Sequence, residues 1–255
     1  IIFGLGLIIG SFLNVVILRL NTGRSIAKGR SACPRCSNTL SWYELIPVFS
    51  FLGLRGKCRS CKAPISFQYP LVELLSAIIF VLLYSKIFLV EGFSFLTLLS
   101  FVFACTVASL LLVIFVYDIR HKIIPDKIVY PFIGFAFLSL CFKSVTSLSF
   151  LFFPAFIAGP LLALPFFLIW YFSKGKAMGF GDVKLALGMG FILGIASSIT
   201  LFFFSFWLGA IVGLFLIALS RAKMKSQIPF APFLIFSFFI ITVFGITIQN
   251  IFPLW

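Results

Sequence analysis

Eight apolar stretches, each close to the length a helix needs to cross a bilayer, dominate this chain of 255 residues. They fall roughly over 1–19, 70–90, 95–117, 128–142, 149–172, 182–198, 200–219 and 230–250. The apolar runs are long and uninterrupted. Short strands of alternating character would be needed for a barrel, so helices are predicted. A hydrophobic share of 62%, well above that of a soluble domain, has its simplest cause in lipid. The fourth stretch is short. The seam between the sixth and seventh is soft, since no charge lies between Lys184 and Arg221.

Basic residues give these spans a direction. The segment 19–69 carries Arg19, Arg24, Lys28, Arg30, Arg35, Arg55, Lys57, Arg59 and Lys62. Three later connections on the same side carry Arg120, Lys122 and Lys127; Lys174, Lys176 and Lys184; and Arg221, Lys223 and Lys225. Of the 20 Lys and Arg only Lys86 and Lys143 fall on the other side. The positive-inside rule makes the rich side cytoplasmic and sends both termini outside. The expected division is a first transmembrane helix at 1–19, a cytoplasmic loop at 20–69 and a transmembrane core at 70–255. The net charge of +14 sits beside span ends, where anionic headgroups are its natural partner. Nucleic acid is therefore not expected as a partner. No cleavable signal peptide is expected, because the first span lacks a basic stretch before it and an A-x-A-like site after it. No feature reports on oligomeric state.

Four of the six cysteines stand as Cys33-Pro34-Arg35-Cys36 and Cys58-Arg59-Ser60-Cys61. Two C-x-x-C knuckles at this separation suit a tetrahedral four-thiolate zinc site. Such a closed shell leaves no open position for catalysis, so the metal would be structural. A redox or disulfide role and incidental cysteines are the alternatives, and the reducing cytoplasmic side disfavours disulfides. Cys105 and Cys141, inside spans, read as small apolar side chains.

Acidic residues are scarce: Glu44, Glu73, Glu91, Asp118, Asp126 and Asp182. In so apolar a chain each one near a span needs a reason. Asp118 ends the third span and Asp182 opens the sixth within Gly179-Phe180-Gly181-Asp182-Val183-Lys184. Both lie at the same cytoplasmic depth and can meet. Two carboxylates in one site cannot both ionise easily. One keeps a proton and polarises a peptide carbonyl; the other takes a proton from water and aims it there. Gly179 and Gly181 would let a substrate backbone approach. The plainer alternative is that each aspartate caps a helix or pairs with a neighbouring base. Asp118 closes its helix and Asp182 opens its own, so the helix dipoles suggest Asp118 for the shared proton and Asp182 for the base. Asp126, after Pro125, suits either a helix cap or a substrate-side role. The single His121, in a charged turn, excludes an H-E-x-x-H metal site and gives poor support to a serine triad.

The residues now become recognisable. Gly10-Ser11-Phe12-Leu13-Asn14-Val15-Val16, the two knuckles with Trp42-Tyr43-Glu44-Leu45-Ile46-Pro47 between them, and Pro64-Ile65-Ser66 resemble the type IV prepilin peptidases. So do Tyr69-Pro70-Leu71-Val72-Glu73, Asp118 with Ile124-Pro125-Asp126, and Gly181-Asp182-Val183-Lys184-Leu185. The resemblance implies a bacterial inner-membrane peptidase with Asp118 and Asp182 as its catalytic pair. Its substrates would be type IV prepilins and type II secretion pseudopilins, cut after a glycine that follows a short basic leader. Larger members also methylate the new N-terminal amine with S-adenosylmethionine, and Glu44 and Glu73 match family positions where such a cofactor would be held. Ion pairing is their alternative role. Lys184 and Asp126 fall beside the catalytic positions as supporting residues. The chain departs from the family at Ala231, where a glycine is expected, and at Leu18 and Asn21. Two other classes compete. An ion-coupled transporter would need acids at mid-membrane and inverted repeats, neither of which is visible. A zinc-loop docking protein would tolerate loss of both aspartates.

Overall fold

The computed structural model describes residues 1–147, 152–220 and 228–247, with side chains except at 142–147 and 152–155. Arg221, Lys223, Lys225, the Lys143 side chain and the last residues of the eighth expected span lie outside the described residues. Among the described residues regular structure is helical, with two isolated antiparallel bridges and no strand. Among the described residues eight helices have 14 residues or more, one at each expected stretch: α1 (Ile2–Arg19), α3 (Gln68–Glu91), α4 (Phe95–His121), α5 (Asp126–Ser147), α6 (Phe152–Ser173), α7 (Phe180–Leu193), α8 (Ile195–Ala218) and α9 (Ala231–Phe244). A 3₁₀ turn (Trp42–Leu45) and a one-turn helix, α2 (Phe49–Gly53), interrupt the first loop. By their described residues, five of these helices are long and apolar enough to cross a membrane: α1, α3, α4, α6 and α8. With 14 residues, α7 and α9 fall short of the length expected of a span.

The chain divides into two compact units, Ile1–Val113 and Ile114–Trp255, with α4 beginning in one and ending in the other. In the first unit α1 and α3 run antiparallel in close contact. A Cβ added to Gly6 would lie 2.4 Å from the Ala77 Cα, and one on Gly10 would lie 2.6 Å from the Glu73 Cα. One turn on, buried Asn14 donates to the Tyr69 carbonyl at 3.1 Å and accepts from the Gln68 side-chain Nε2 at 3.2 Å. Gly6, Gly10 and Asn14 thus form one stripe facing Ala77, Glu73 and Tyr69. Small residues at this spacing let helix backbones approach where lipid gives no hydrophobic drive. Gly10→Ala should lower the melting temperature in detergent, with a destabilisation of about 1–3 kcal/mol from overpacking. Gly4→Ala, where nothing lies within 4 Å, should leave it unchanged or raise it.

In the second unit α7 is the central helix, packed against α5, α6, α8 and α9. A Cβ on Gly188 would strike the Phe132 ring at 2.4 Å, and one on Gly190 the Ala158 carbonyl at 2.5 Å. These glycines admit α5 and α6, and bury Val183, Leu185, Ala186 and Met189. The soft seam falls at Gly194, earlier than the sequence suggests. There φ is +77°, which breaks the apolar run where no charge or proline does.

Candidate active site and candidate metal centre

Helix ends bring the two aspartates together. Asp118 lies in the last turn of α4, whose Asp118 carbonyl accepts the Lys122 amide at 2.8 Å. Asp182 lies in the first turn of α7, three residues after the extended N-cap Gly179. Both side chains are buried, at 5% and 7% exposure, and near enough for the Asp118 charge to act on Asp182. The amides of Gly179 and of Asp182 itself face the Asp182 carboxylate. Its Oδ1 is buried and has no hydrogen-bond partner among the described residues. Two buried carboxylates that repel each other, one with an uncommitted oxygen, form a site able to share one proton and to act on a third group.

The Ala231 amide, first in α9, faces the Asp118 carboxylate. Asp118 therefore sits at the negative end of its own helix and against the positive end of another. Helix ends alone no longer separate the two aspartates, and the pair is better treated as one titrating unit. Ala231 itself is fully buried. The Pro229-Phe230-Ala231-Pro232 motif was visible in sequence as a departure, but not its place beside Asp118.

The two glycines differ in use. A Cβ on Gly179 would stand 3.6 Å from the Asp182 carboxylate, so its bareness opens the site. A Cβ on Gly181 would meet the Ile124 side chain at 2.7 Å, so this glycine seats the α4–α5 connection against α7. Asp126 is the first residue of α5 and accepts an ion pair from Lys184 Nζ at 2.7 Å. The same Nζ lies over the rings of Tyr130 and Phe180, at 4.7 and 5.4 Å from their centres. Lys184 thus ties the start of α5 to the start of α7. The Asp126 side chain is 62% exposed, which keeps the pair weak as a stabiliser.

In the first unit the cysteine knuckles are near copies. Cys33 N–H donates to the Asn38 carbonyl and Ser37 N–H to that of Cys33, at 3.0 and 2.9 Å. Cys58 N–H donates to Ala63 and Lys62 N–H to Cys58, at 2.8 and 3.0 Å. Ser37 and Lys62 both take φ of +57°. Each knuckle is closed by a bridge, Ala32 with Thr39 and Lys57 with Pro64. The four Sγ atoms lie within 4.8 Å of one another, and those of Cys33 and Cys61 are 3.8 Å apart. Tetrahedral bonds of about 2.3 Å to one ion place sulfurs about 3.8 Å apart, so the thiols fit a zinc-sized ion. The amides of Cys36 and Arg35 hold the Cys33 thiol down to about 6, while that of Cys36 is raised to about 11.

Glu44 and Glu73 hold backbone. Glu44 accepts the Ser41 amide at 2.8 Å in a capping box, and buried Glu73 accepts the Val48 amide at 2.7 Å. Neither contact is the ion pairing that the many basic residues suggested.

Fold and site together define a helical membrane protein with a buried aspartate pair and a four-thiol loop. The chain belongs to the type IV leader peptidase family. Residues 4–87 match the family model of the bacterial peptidase A24 N-terminal domain, and 105–214 that of the type IV leader peptidase family. It is 34% identical to the prepilin leader peptidase/N-methyltransferase of Bacillus subtilis, over 91% of this chain and 88% of that protein. The proteins of the same name from Xanthomonas campestris and Vibrio cholerae are each 32% identical. The first match covers 95% of this chain and 90% of the relative, and the second 92% of each. No solved structure matches the chain.

Proposed function

We propose that this protein is a multi-pass aspartyl endopeptidase that removes the short basic leader of type IV prepilins and pseudopilins at the cytoplasmic face of the bacterial inner membrane. The observation that carries the reading is the meeting of Asp118 and Asp182, buried, from the ends of α4 and α7. The family relationship supplies the substrate class. All eight long helices cross or enter the membrane in this reading, with the basic connections inside. A prepilin helix slides in from the lipid with its leader in the cytoplasm, and the scissile bond reaches the pair at the interface. The aspartates hold one proton between them. The protonated carboxyl donates to the carbonyl oxygen while the other carboxylate takes a proton from the attacking water. The tetrahedral intermediate collapses as the leaving amine gains a proton. Gly179 leaves room beside Asp182 for the substrate backbone.

Lys184 and Asp126 support the site by fixing the start of α7. Asp126→Asn should lower the cleavage rate less than tenfold and stability by under about 1 kcal/mol, as exposed pairs contribute little. A loss as deep as that of an aspartate variant would make Asp126 a substrate contact.

Cys33, Cys36, Cys58 and Cys61 hold a structural zinc ion in this reading. In this reading methylation of the new N-terminal amine by S-adenosylmethionine follows cleavage, and the relatives are named as N-methyltransferases as well as leader peptidases. Glu44 and Glu73, suggested for that cofactor by resemblance, are engaged instead by the Ser41 and Val48 amides. The test is incubation of a prepilin with the protein in membranes and mass spectrometry of the product. The expected product lacks the leader and is one methyl group heavier at its N-terminus. An uncut prepilin would overturn the peptidase reading.

A further inference from the structure

The segment between the two knuckles carries more apolar surface than an aqueous loop tolerates. Trp42, Phe49 and Leu52 are 65–77% exposed, as is Phe67 just past the second knuckle, and Tyr43, Leu45 and Ile46 are exposed as well. Their outward display is held by unusual backbone. Val48 has φ +61° and ψ −50°, with Phe49 N–H donating to the Pro47 carbonyl at 2.6 Å. This is a γ-turn of the strained, positive-φ kind, on a β-branched residue that strongly disfavours it. Such a turn persists only where its surroundings impose it. The imposing group is the buried Glu73 carboxylate, which reaches from α3 to take the Val48 amide at 2.7 Å. The turn sends the chain into α2 with Phe49 and Leu52 facing out.

Two further observations say what covers this surface. Phe67, Leu71, Leu74, Ile78 and Leu82 are exposed at helical spacing along α3, the stripe of a membrane-crossing helix that must face lipid. The Phe51 ring packs edge-on against Phe67 at 5.2 Å, so α2 is continuous with that stripe at its cytoplasmic end. Exposed Arg55, Lys57 and Arg59 follow α2 directly. Aromatic and aliphatic side chains beside a basic rim match an anionic bilayer surface.

We infer that residues 42–53, with Phe67, form a monotopic anchor that lays the cysteine loop on the anionic cytoplasmic leaflet, shaped by the Glu73–Val48 hydrogen bond. The inference depends on the loop's side of the membrane and not on the peptidase reading. It is tested with the full chain reconstituted in phosphatidylglycerol-containing vesicles. Trp170→Phe, Trp207→Phe and Trp255→Phe leave Trp42 as the single indole. Lipids brominated near the headgroup end of the acyl chain should quench its emission at least twofold more than lipids brominated near the terminal methyl. Aqueous acrylamide should quench it weakly. Glu73→Gln, which removes the charged acceptor for Val48, should reduce the bromolipid quenching. Strong acrylamide quenching with none from bromolipids would overturn the anchor. A blue-shifted Trp42 quenched by neither would also overturn it, and would assign the surface to a second copy or another protein. Prepilin cleavage measured on the same vesicles separates failure of the anchor from failure of the peptidase reading.

Discussion

Asp118→Asn and Asp182→Asn should each abolish prepilin cleavage, with expected losses of at least about 10²–10⁴-fold, the range for a positioned general acid or base. Asparagine is the informative substitution, because it keeps the volume of a buried side chain while removing the shared proton chemistry. Asp118 and Asp182 are both buried, so alanine would add a cavity to the chemical change. The two losses should be similar. Asp118 meets the Ala231 amide and Asp182 meets the Gly179 amide, so each lies against a helix N-terminus and neither is marked as the sole base. The double variant should be no worse than either single one, since residues that act as a unit are not additive. Cleavage of a purified prepilin by each variant in detergent, with circular dichroism as the check on folding, measures this. A well-folded variant with more than a tenth of the wild-type rate would sink the paired mechanism.

Cys33→Ser or Cys58→Ser should strip the metal from the loop and unfold it. The buried cluster around the knuckles consists of Cys33, Cys58 and Ala63. So small a group cannot hold a loop by hydrophobic burial, so the thiols are themselves the core, and in the reading proposed above an ion completes it. Structural zinc in comparable small domains contributes apparent free energies of about 10–16 kcal/mol at neutral pH. Elemental mass spectrometry should find one zinc per chain in the wild type and none in either variant. Limited proteolysis should then cut within residues 31–65, where the wild type resists. Zinc retained at one per chain, or unchanged resistance to protease, would refute the four-thiolate site.

Much of the fold was legible because lipid leaves few options. All eight stretches contain a helix, and each aspartate lies at the expected helix end. The boundaries were less so. The seam at Gly194 is set by one glycine's backbone angle, which hydropathy does not register, and α7 ends at Leu193 as a result. The knuckles could be read from spacing alone, since four ligands in two short turns suffice to define the site. The Ala231 amide beside Asp118 was not legible, because it depends on how α9 packs, over a hundred residues away in sequence. The roles of Glu44 and Glu73 were hidden for a similar reason. An acidic residue among many bases suggests an ion pair, yet a capping box at Ser41 and a strained Val48 amide took the carboxylates.

The two helices that open at the site, α7 and α9, have 14 residues each. At 1.5 Å per residue each spans about 21 Å, against a hydrocarbon layer of about 30 Å. In the membrane reading this is a local hydrophobic mismatch, met by thinning of the bilayer or by water following the short helix ends inward. Hydrolysis consumes water, and a thinned patch supplies it without a dedicated channel. The catalytic rate should then depend on the acyl-chain length of the surrounding lipid, with thick bilayers slowing a reaction whose chemistry they never touch.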